Sequence, residues 1–488
     1  MWLTQHQMNL EFAKSFGREP DLLPLKEHAN IHHANALTID WGEVVNATQL
    51  NYIIGNPPFL GKNFRSKEQS DAQQSVFFDV KNWKSLDFVA SWFYKAALFI
   101  ENTVIDVAFV STNSITMGEQ VSALWQPILD RGITLHFAHR TFSWHNDAKG
   151  KAAVHCVIIG FGQQERIEKW LFDYPNLKAA PKAIKADNIN PYLIDAPSVV
   201  VVNRTKPLSH NIPLMVYGNK PVDGGFLFFT KEERTALLTN YPECKAWIKP
   251  VLGAQEFLNG GIRYCLWLTD SNAKQRRDLM QIPEIKRQIE GVRDMRLASS
   301  KKQTQELAES AWLFGEIRHP ETGTYILLPR VSSERRAYVP MGFCDNEIIT
   351  TDRNQMIPNA GLYEFGILTS QLHMDWMRVV TGRLKSDFNY SAKLVYNNFP
   401  WPSVNDTQCQ HIETLAQAVL DARQQEMDKD ASTTLADLYD PDLMPPSLRK
   451  AHKKLDKAVD GLYQKAAFNN PLDRVKHLFT LYEQAINE

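Results

Sequence analysis

Four consecutive residues, Asn56, Pro57, Pro58 and Phe59, are the best placed in this chain to do chemistry. Asn56 carries an amide, the prolines carry carbonyls on a backbone of fixed φ, and Phe59 offers a flat aromatic face. The set contains acceptors in rigid geometry and no acid, base or thiol. Its chemistry would be preorganised hydrogen bonding and stacking, not proton transfer. The preceding run, Asn51-Tyr52-Ile53-Ile54, predicts a short buried parallel strand that Gly55 and the prolines bring to an end. Open α/β sheets bind ligands at the carboxyl ends of their strands, where this strand would deliver Asn56. The plainer alternative is a Pro-Pro turn after a buried strand.

Other segments bear on the same chemistry. The stretch after the tetrapeptide, Leu60 to Lys67, holds Lys62, Arg65 and Lys67, three basic groups suited to phosphates or simply to solvent. A second apolar strand, Val104 to Val110, runs into the polar loop Ser111-Thr112-Asn113-Ser114. A third strand-loop-strand unit pairs Ile133–Phe137 with Ala153–Phe161 and carries Phe142 and Trp144 between them. His32-His33 has no acidic or cysteine partners at ligand spacing, so no metal is expected there.

The elements that must position these groups follow from periodicity. Residues 1–17 are weakly helical, Asp21 to Lys26 is a turn-rich connection, and Ile31 to Ile39 reads as a short strand with a loop. Asp71 to Phe78 reads as a mobile segment, Asp87 to Ile100 as an amphipathic helix, and Val121 to Leu129 as another. Prolines 175, 181, 191 and 197 mark a linker. Beyond it, strands are expected at Val199–Val202, Gly224–Phe229, Ile262–Leu268, Tyr325–Leu328, Ala337–Pro340 and Ile348–Thr350, with a basic helical stretch from Asn272 to Gln305. His411 to Lys429, Arg449 to Asn469 and Leu472 to Ile486 are helical.

Composition sets limits. The 488 residues suffice for two to four domains. Lys plus Arg number 54 against 55 Asp plus Glu, so any nucleic-acid surface must be local. Five scattered cysteines form neither a zinc pattern nor a disulfide framework and suit a reducing cytoplasm. No run of 18 apolar residues exists, so no membrane partner is expected.

Asn56-Pro57-Pro58-Phe59 resembles the catalytic motif of amino-methylating DNA methyltransferases, in its adenine-methylating form. Ser85-Leu86-Asp87, the 104–114 segment and the Arg140–Gly150 loop resemble the family's later motifs. Thr381–Ser391 and Val395–Pro402 resemble the end of a target-recognition domain in large single-chain enzymes, including those fused to restriction nucleases. The resemblance implies S-adenosylmethionine as cofactor and double-stranded DNA as partner. It implies a catalytic set of Asn56, Pro57, Pro58 and Phe59 with Phe142, or Trp144 second, facing the flipped base. It implies cofactor contacts at Asn35, Ala36 and Asn56. Asn35 departs from the acid more usual there, and a loop cap is its alternative role. Arg383 and Lys385 would touch the DNA backbone.

Only 55 residues precede Asn56, with no Phe-x-Gly-x-Gly cofactor loop among them. The resemblance is therefore to the C-terminal part of a gamma-type adenine methyltransferase. The expected fold is α/β: an incomplete, Rossmann-like S-adenosylmethionine-dependent sheet in residues 1–174, a mixed α/β target-recognition domain in 175–405 and a helical region in 406–488. The sheet is expected to be mostly parallel, with the last strand reversed. On this expectation the cofactor site is incomplete, a separate N-terminal methyltransferase half is a partner, and the isolated chain is inactive. The alternative is a non-catalytic DNA-binding or assembly fragment of a restriction-modification or phage-defence system.

Overall fold

The computed structural model describes residues 2–18, 31–144, 154–177 and 179–487. The expected connection at Asp21–Lys26, most of the loop beyond Trp144 and Ala153 lie outside the described residues, as does the Trp144 side chain.

Helix α1 (Trp2–Phe16) is followed, after residue 30, by a loop without strand pairing and the short helix α2 (Trp41–Val44). The strand expected at Ile31–Ile39 does not form. Asn35 closes a turn there instead, its Oδ1 accepting the Leu37 N–H at 3.0 Å while its carbonyl accepts from Thr38 and Ile39. Strand β1 (Tyr52–Gly55) then leads to helix α3 (Lys67–Val76), helix α4 (Ala90–Phe99), strand β2 (Asp106–Thr112), helix α5 (Glu119–Leu129), and strands β3 (Thr134–Trp144), β4 (Val154–Gly162), β5 (Lys169–Asp173) and β6 (Lys182–Ala186).

These strands form one sheet in the order β1-β2-β4-β3-β5-β6. Only β1/β2 and β3/β5 are parallel; the other three pairings are antiparallel, so the expectation of a mostly parallel sheet does not hold. Helix α4 buries Phe93, Tyr94, Ala96 and Ala97 against the sheet, where Phe93 meets Phe109 edge-on at 5.3 Å. The expected mobile segment at Asp71–Phe78 is mostly helix. Ser66 and Gln69 cap each other's backbone at its start, and Ala72, Val76 and Phe77 are buried.

The strand before the tetrapeptide was expected to be buried. In the structure β1 is an edge strand, with Tyr52 69% and Ile54 79% exposed. Its parallel pairing with β2 is as regular as expected, Tyr52 to Gly55 facing Asp106 to Phe109 in register.

The middle region is built from small sheets. Its elements are β7 (Val216–Tyr217), β8 (Phe228–Phe229), α6 (Lys231–Asn240), β9 (Ile248–Leu252), α7 (Ala254–Asn259), β10 (Arg263–Leu266), α8 (Ala273–Leu279), α9 (Pro283–Leu297) and α10 (Lys302–Glu306). They continue as β11 (Thr324–Pro329), β12 (Val331–Ser332), β13 (Gly342–Asp345), β14 (Ile349–Thr350), β15 (Asn354–Pro358), α11 (Leu362–Leu368), α12 (Gln371–Val380), β16 (Gly382–Leu384) and β17 (Asp387–Asn389). The sheets run β14-β9-β10-β8, β13-β11-β15-β7 and β12-β17-β16. Val199–Val202 and Ala337–Pro340 carry no strand.

Arg296, which the sequence placed among exposed bases, is wholly buried. Its guanidinium donates to five carbonyls: Pro221, Val222, Leu307, Ser310 and Leu313, at 2.7–3.1 Å. These bonds anchor the turn in which Val222 adopts a left-handed φ of 50°.

The chain ends in helices α13 (Asp406–Lys429), α14 (Leu435–Leu438), α15 (Pro446–Tyr463) and α16 (Pro471–Asn487). Their apolar faces join the core of the first sheet through α11 and α12 in one continuous buried cluster, while β8–β10 and α9 enclose a separate one.

Candidate functional site

The tetrapeptide lies at the carboxyl end of β1. Because β1 and β2 are parallel and in register, the loop Ser111–Ser114 ends at the same edge of the sheet. Asn56 is exposed, and its side chain has no hydrogen-bond partner among the described residues, whereas Pro57 is buried and Phe59 packs half-buried against the main core. The site therefore presents a free amide on a fixed backbone.

Downstream, the chain is pinned. The Leu60 carbonyl accepts the Phe88 N–H at 2.9 Å, which sets the motif against the start of α4. Asp87 there accepts Ser114 Oγ at 2.5 Å, Ser114 shares a 2.8 Å contact with Thr112 Oγ1, and the Asp87 N–H donates to Gln120 Oε1 at 2.9 Å. Asn113 reaches Thr141 Oγ1 on β3 at 3.4 Å. This polar relay ties the three strand-loop segments together. Sequence reasoning read Asp87 only as a helix entry; the polar quartet Ser111–Ser114 was the signal for its partner.

Not all candidates converge. Phe142 sits on β3, with β2 and β4 between it and β1, about 14 Å across at ~4.8 Å per strand. Its ring stacks on Tyr174 at 5.2 Å, and Tyr174 also meets His139 Nδ1 at 2.8 Å. Trp144 ends β3, two residues on. Asn35 and Ala36 occupy the loop before α2. There Trp41 Nε1 donates to the Ala36 carbonyl at 2.8 Å, and Lys95 Nζ donates to the carbonyls of Leu37 and Ile39 at 2.9 and 2.5 Å. Burial lowers the Lys95 pKa, partly offset by Asp40. The Asn35 oxygen is engaged in its turn, and its amide nitrogen is unpartnered among the described residues.

The basic groups sort into two kinds. Arg65 is structural: it donates to the carbonyls of Lys62 at 3.3 Å and Lys84 at 3.0 Å, and burial lowers its pKa against the pull of Asp87. Lys62 and Lys67 are exposed and have no side-chain partner among the described residues. Lys62 lines a cleft of about 430 Å³ together with Arg330, Arg383 and Lys385 from the middle region. A neighbouring cleft of about 560 Å³ shares Arg330 and adds Arg263 and Arg353. Arg383 lies over Phe388 at 4.4 Å and bonds Glu334 at 2.8 Å. At the back of the first cleft Gly118 and Gly382 meet main chain to main chain. The Gly118 N–H donates to the Val380 carbonyl at 3.2 Å, and a Cβ at Gly118 would lie 2.8 Å from Gly382 Cα. A further cavity of about 1070 Å³ is, like the two clefts, lined by none of the four motif residues. His32 and His33 are exposed, and the described residues contain no group of three metal-ligating side chains.

The strand edge carrying Asn-Pro-Pro-Phe is thus joined by a polar relay to the polar loop after β2 and to β3, and the chain after the motif reaches a cleft lined by Lys62, Arg330, Arg383 and Lys385. Residues 1–173 match the family model "MmeI, DNA-methyltransferase domain", 195–403 match "MmeI, target recognition domain", and 404–488 match "MmeI, C-terminal domain". The three matches are consecutive, all to domains of MmeI, and leave only residues 174–194 uncovered.

DNA methyltransferase A of Bacillus subtilis (strain 168) is 39% identical over 488 residues, covering 99% of this chain and 54% of that protein. The type IIL restriction-modification enzyme MmeI, solved in complex with DNA, superposes with a TM-score of 0.84 at 45% identity, covering 100% of this chain and 64% of that one. The chain thus spans about half to two thirds of the length of these relatives.

These matches correct two expectations. The chain was read as a C-terminal part with an incomplete methyltransferase sheet. The match over residues 1–173 instead identifies that segment as the methyltransferase domain, and the superposition extends over all of it. One missing local feature, a glycine-rich loop before Asn56, counts for less than the strand-loop order of the whole segment, Tyr52–Gly55, Asp106–Thr112 and Thr134–Trp144.

Proposed function

We propose that this chain is a site-specific DNA adenine methyltransferase, acting on the exocyclic amine of an adenine flipped out of duplex DNA. The observation that carries the reading is the free Asn56 amide beside a buried, rigid Pro57 at the carboxyl end of β1. An exocyclic amine is a poor nucleophile because its lone pair is delocalised into the ring. The Asn56 oxygen and the Pro57 carbonyl accept its two N–H bonds, favour a pyramidal nitrogen and aim the lone pair. Pro58 stiffens the acceptors, and Phe59 stacks on the purine, with Phe142 or Trp144 offering the second face.

S-adenosylmethionine, when bound, supplies an electrophilic methyl on a sulfonium. The residues here suit it: the unpartnered Asn35 nitrogen would donate to an adenine ring nitrogen, Ala36 would back the ring, and the free Asn56 amide would lie towards the methyl. Double-stranded DNA is the partner, held by Lys62, Arg330, Arg383 and Lys385 along the cleft. The division of labour is catalytic in 1–174, target-recognising in 175–405 and supporting in 406–488, with β6 returning to the first sheet from the linker. The names of the relatives, a DNA methyltransferase and a restriction-modification enzyme, support a role in restriction-modification. No helix among the described residues is long and apolar enough to cross a membrane, and four of the five cysteines are buried thiols, which suits the cytoplasm.

The test is methyl transfer onto duplex DNA with the product base identified. Asn56→Ala should lose about 100-fold or more in turnover with duplex binding nearly intact. Near-normal turnover in Asn56→Ala, or a methylated cytosine product, overturns the assignment.

A further inference from the structure

Phe64 stands five residues beyond Phe59, and its ring is 79% exposed. It belongs to none of the hydrophobic clusters and stacks on no other ring among the described residues. The loop that carries it is fixed at both ends and in the middle. The Leu60 carbonyl holds the Phe88 N–H, the Phe64 N–H closes a turn onto the Gly61 carbonyl at 2.9 Å, and Arg65 staples the carbonyls of Lys62 and Lys84. Ser66 and Gln69 then cap α3 reciprocally. The ring lies beside the Gly61 main chain, where a Cβ would meet Phe64 Cδ2 in ordinary contact at 3.6 Å.

Rigid backbone bonds therefore hold an apolar ring out in water beside the candidate base pocket. On either side of it, Lys62 and Lys67 project without carboxylate partners among the described residues. The other strongly exposed phenylalanine of this region, Phe78, precedes Asp79 instead, a residue that repels phosphate.

We propose that Phe64 is the wedge that enters the base stack of duplex DNA as the target nucleotide leaves it, while Lys62 and Lys67 receive the flanking phosphates. The inference rests on the base-flipping reading of the site. An aromatic ring in the vacated space restores stacking lost by the orphaned partner base and its neighbours, and a preformed loop inserts it without an ordering cost. Phe64 is a positioning residue: it makes flipping favourable and takes no part in methyl transfer.

The experiment uses the full chain and a duplex selected by it from a random-sequence pool, with 2-aminopurine in place of the target adenine. The wild-type chain should raise the fluorescence as the base unstacks. Phe64→Ala should lower the flipped population about tenfold, the worth of one stacking contact, with thermal stability and duplex binding within about twofold of wild type. Phe64→Trp should restore the signal. Placing the target base opposite an abasic site, which removes its pairing and leaves no orphaned partner base to restack, should restore it for Phe64→Ala. If the wild-type signal rises and Phe64→Ala matches it, the wedge is refuted while the reading of the site stands. If abasic duplexes fail to rescue Phe64→Ala, the residue acts in something other than unstacking, and the proposal also falls. A wild-type chain that raises no fluorescence on its selected duplex refutes the site reading and the wedge together.

Discussion

Asn56 and Arg296 both carry planar side chains rich in hydrogen-bonding groups, and their surroundings are opposites. Arg296 is wholly buried with every N–H donated to a carbonyl, while Asn56 is exposed with no partner among the described residues. One is finished by the fold; the other is finished only by something that arrives. The same contrast separates larger regions. Around α12 and the terminal helices, buried His373 meets the Tyr390 hydroxyl at 2.8 Å, and Asp375 is held by Arg378 and Arg474. Along the cleft beside β1, Lys62 has no such partner. The fold completes one set of polar groups and leaves another open to solvent.

Replacing Arg296 is the severest way to test that division. Arg296→Met should cost roughly 3–5 kcal/mol, because five carbonyls lose their donor and the left-handed turn at Val222 loses its anchor. Chemical denaturation measures it, and a loss below about 1 kcal/mol would show that the buried guanidinium is not what holds that turn.

A smaller effect is expected from pH. Burial pushes the His373 pKa down to about 3 from its ordinary 6.5. The unfolded chain therefore takes up a proton that the folded chain refuses, so this contribution is complete above pH 6.5 and is lost as pH falls toward 3. The slope is at most about 1.4 kcal/mol per pH unit. Burial raises Asp456 to about 6, with the opposite sign: its contribution is present below about 3.8 and is lost as pH rises through 6. Denaturation midpoints of wild type and His373→Gln at pH 7 and pH 4.5 separate the two. The variant should lose less on acidification, and equal losses would remove His373 from the account.

The smallest effect completes the comparison. Asn56→Ala should change folding stability by less than about 0.5 kcal/mol, since nothing in the fold depends on its amide. A loss of 2 kcal/mol in a denaturation curve would mean that Asn56 is a structural residue and would erase the contrast.

The site was more legible than its setting. Tyr52–Gly55 and Asp106–Thr112 announce themselves as apolar runs broken by proline or polar residues, and local chemistry suffices to find them. Burial of Tyr52 and Ile54 is a different matter, because it depends on what lies against β1, which no local pattern encodes. The segment Asp71–Phe78 reads as mobile because Ala72 and Val76 are the only apolar residues of the helix α3 that it mostly belongs to; the Ser66–Gln69 cap is the signal of that helix. Arg296 looks like any arginine on a charged helix until Pro221 and Leu313 are brought to it. The link from Asp87 to Ser114 spans 27 residues and became visible only when α4 and β2 were placed side by side.

The meeting of Gly118 with Gly382 has a mechanical consequence. Two glycines touching through their main chains act as a spacer of fixed thickness, with no side chain that can be lengthened, shortened or repacked. The hairpin of β16 and β17 is therefore set at a constant reach from the loop that follows β2, whatever residues its exposed positions carry.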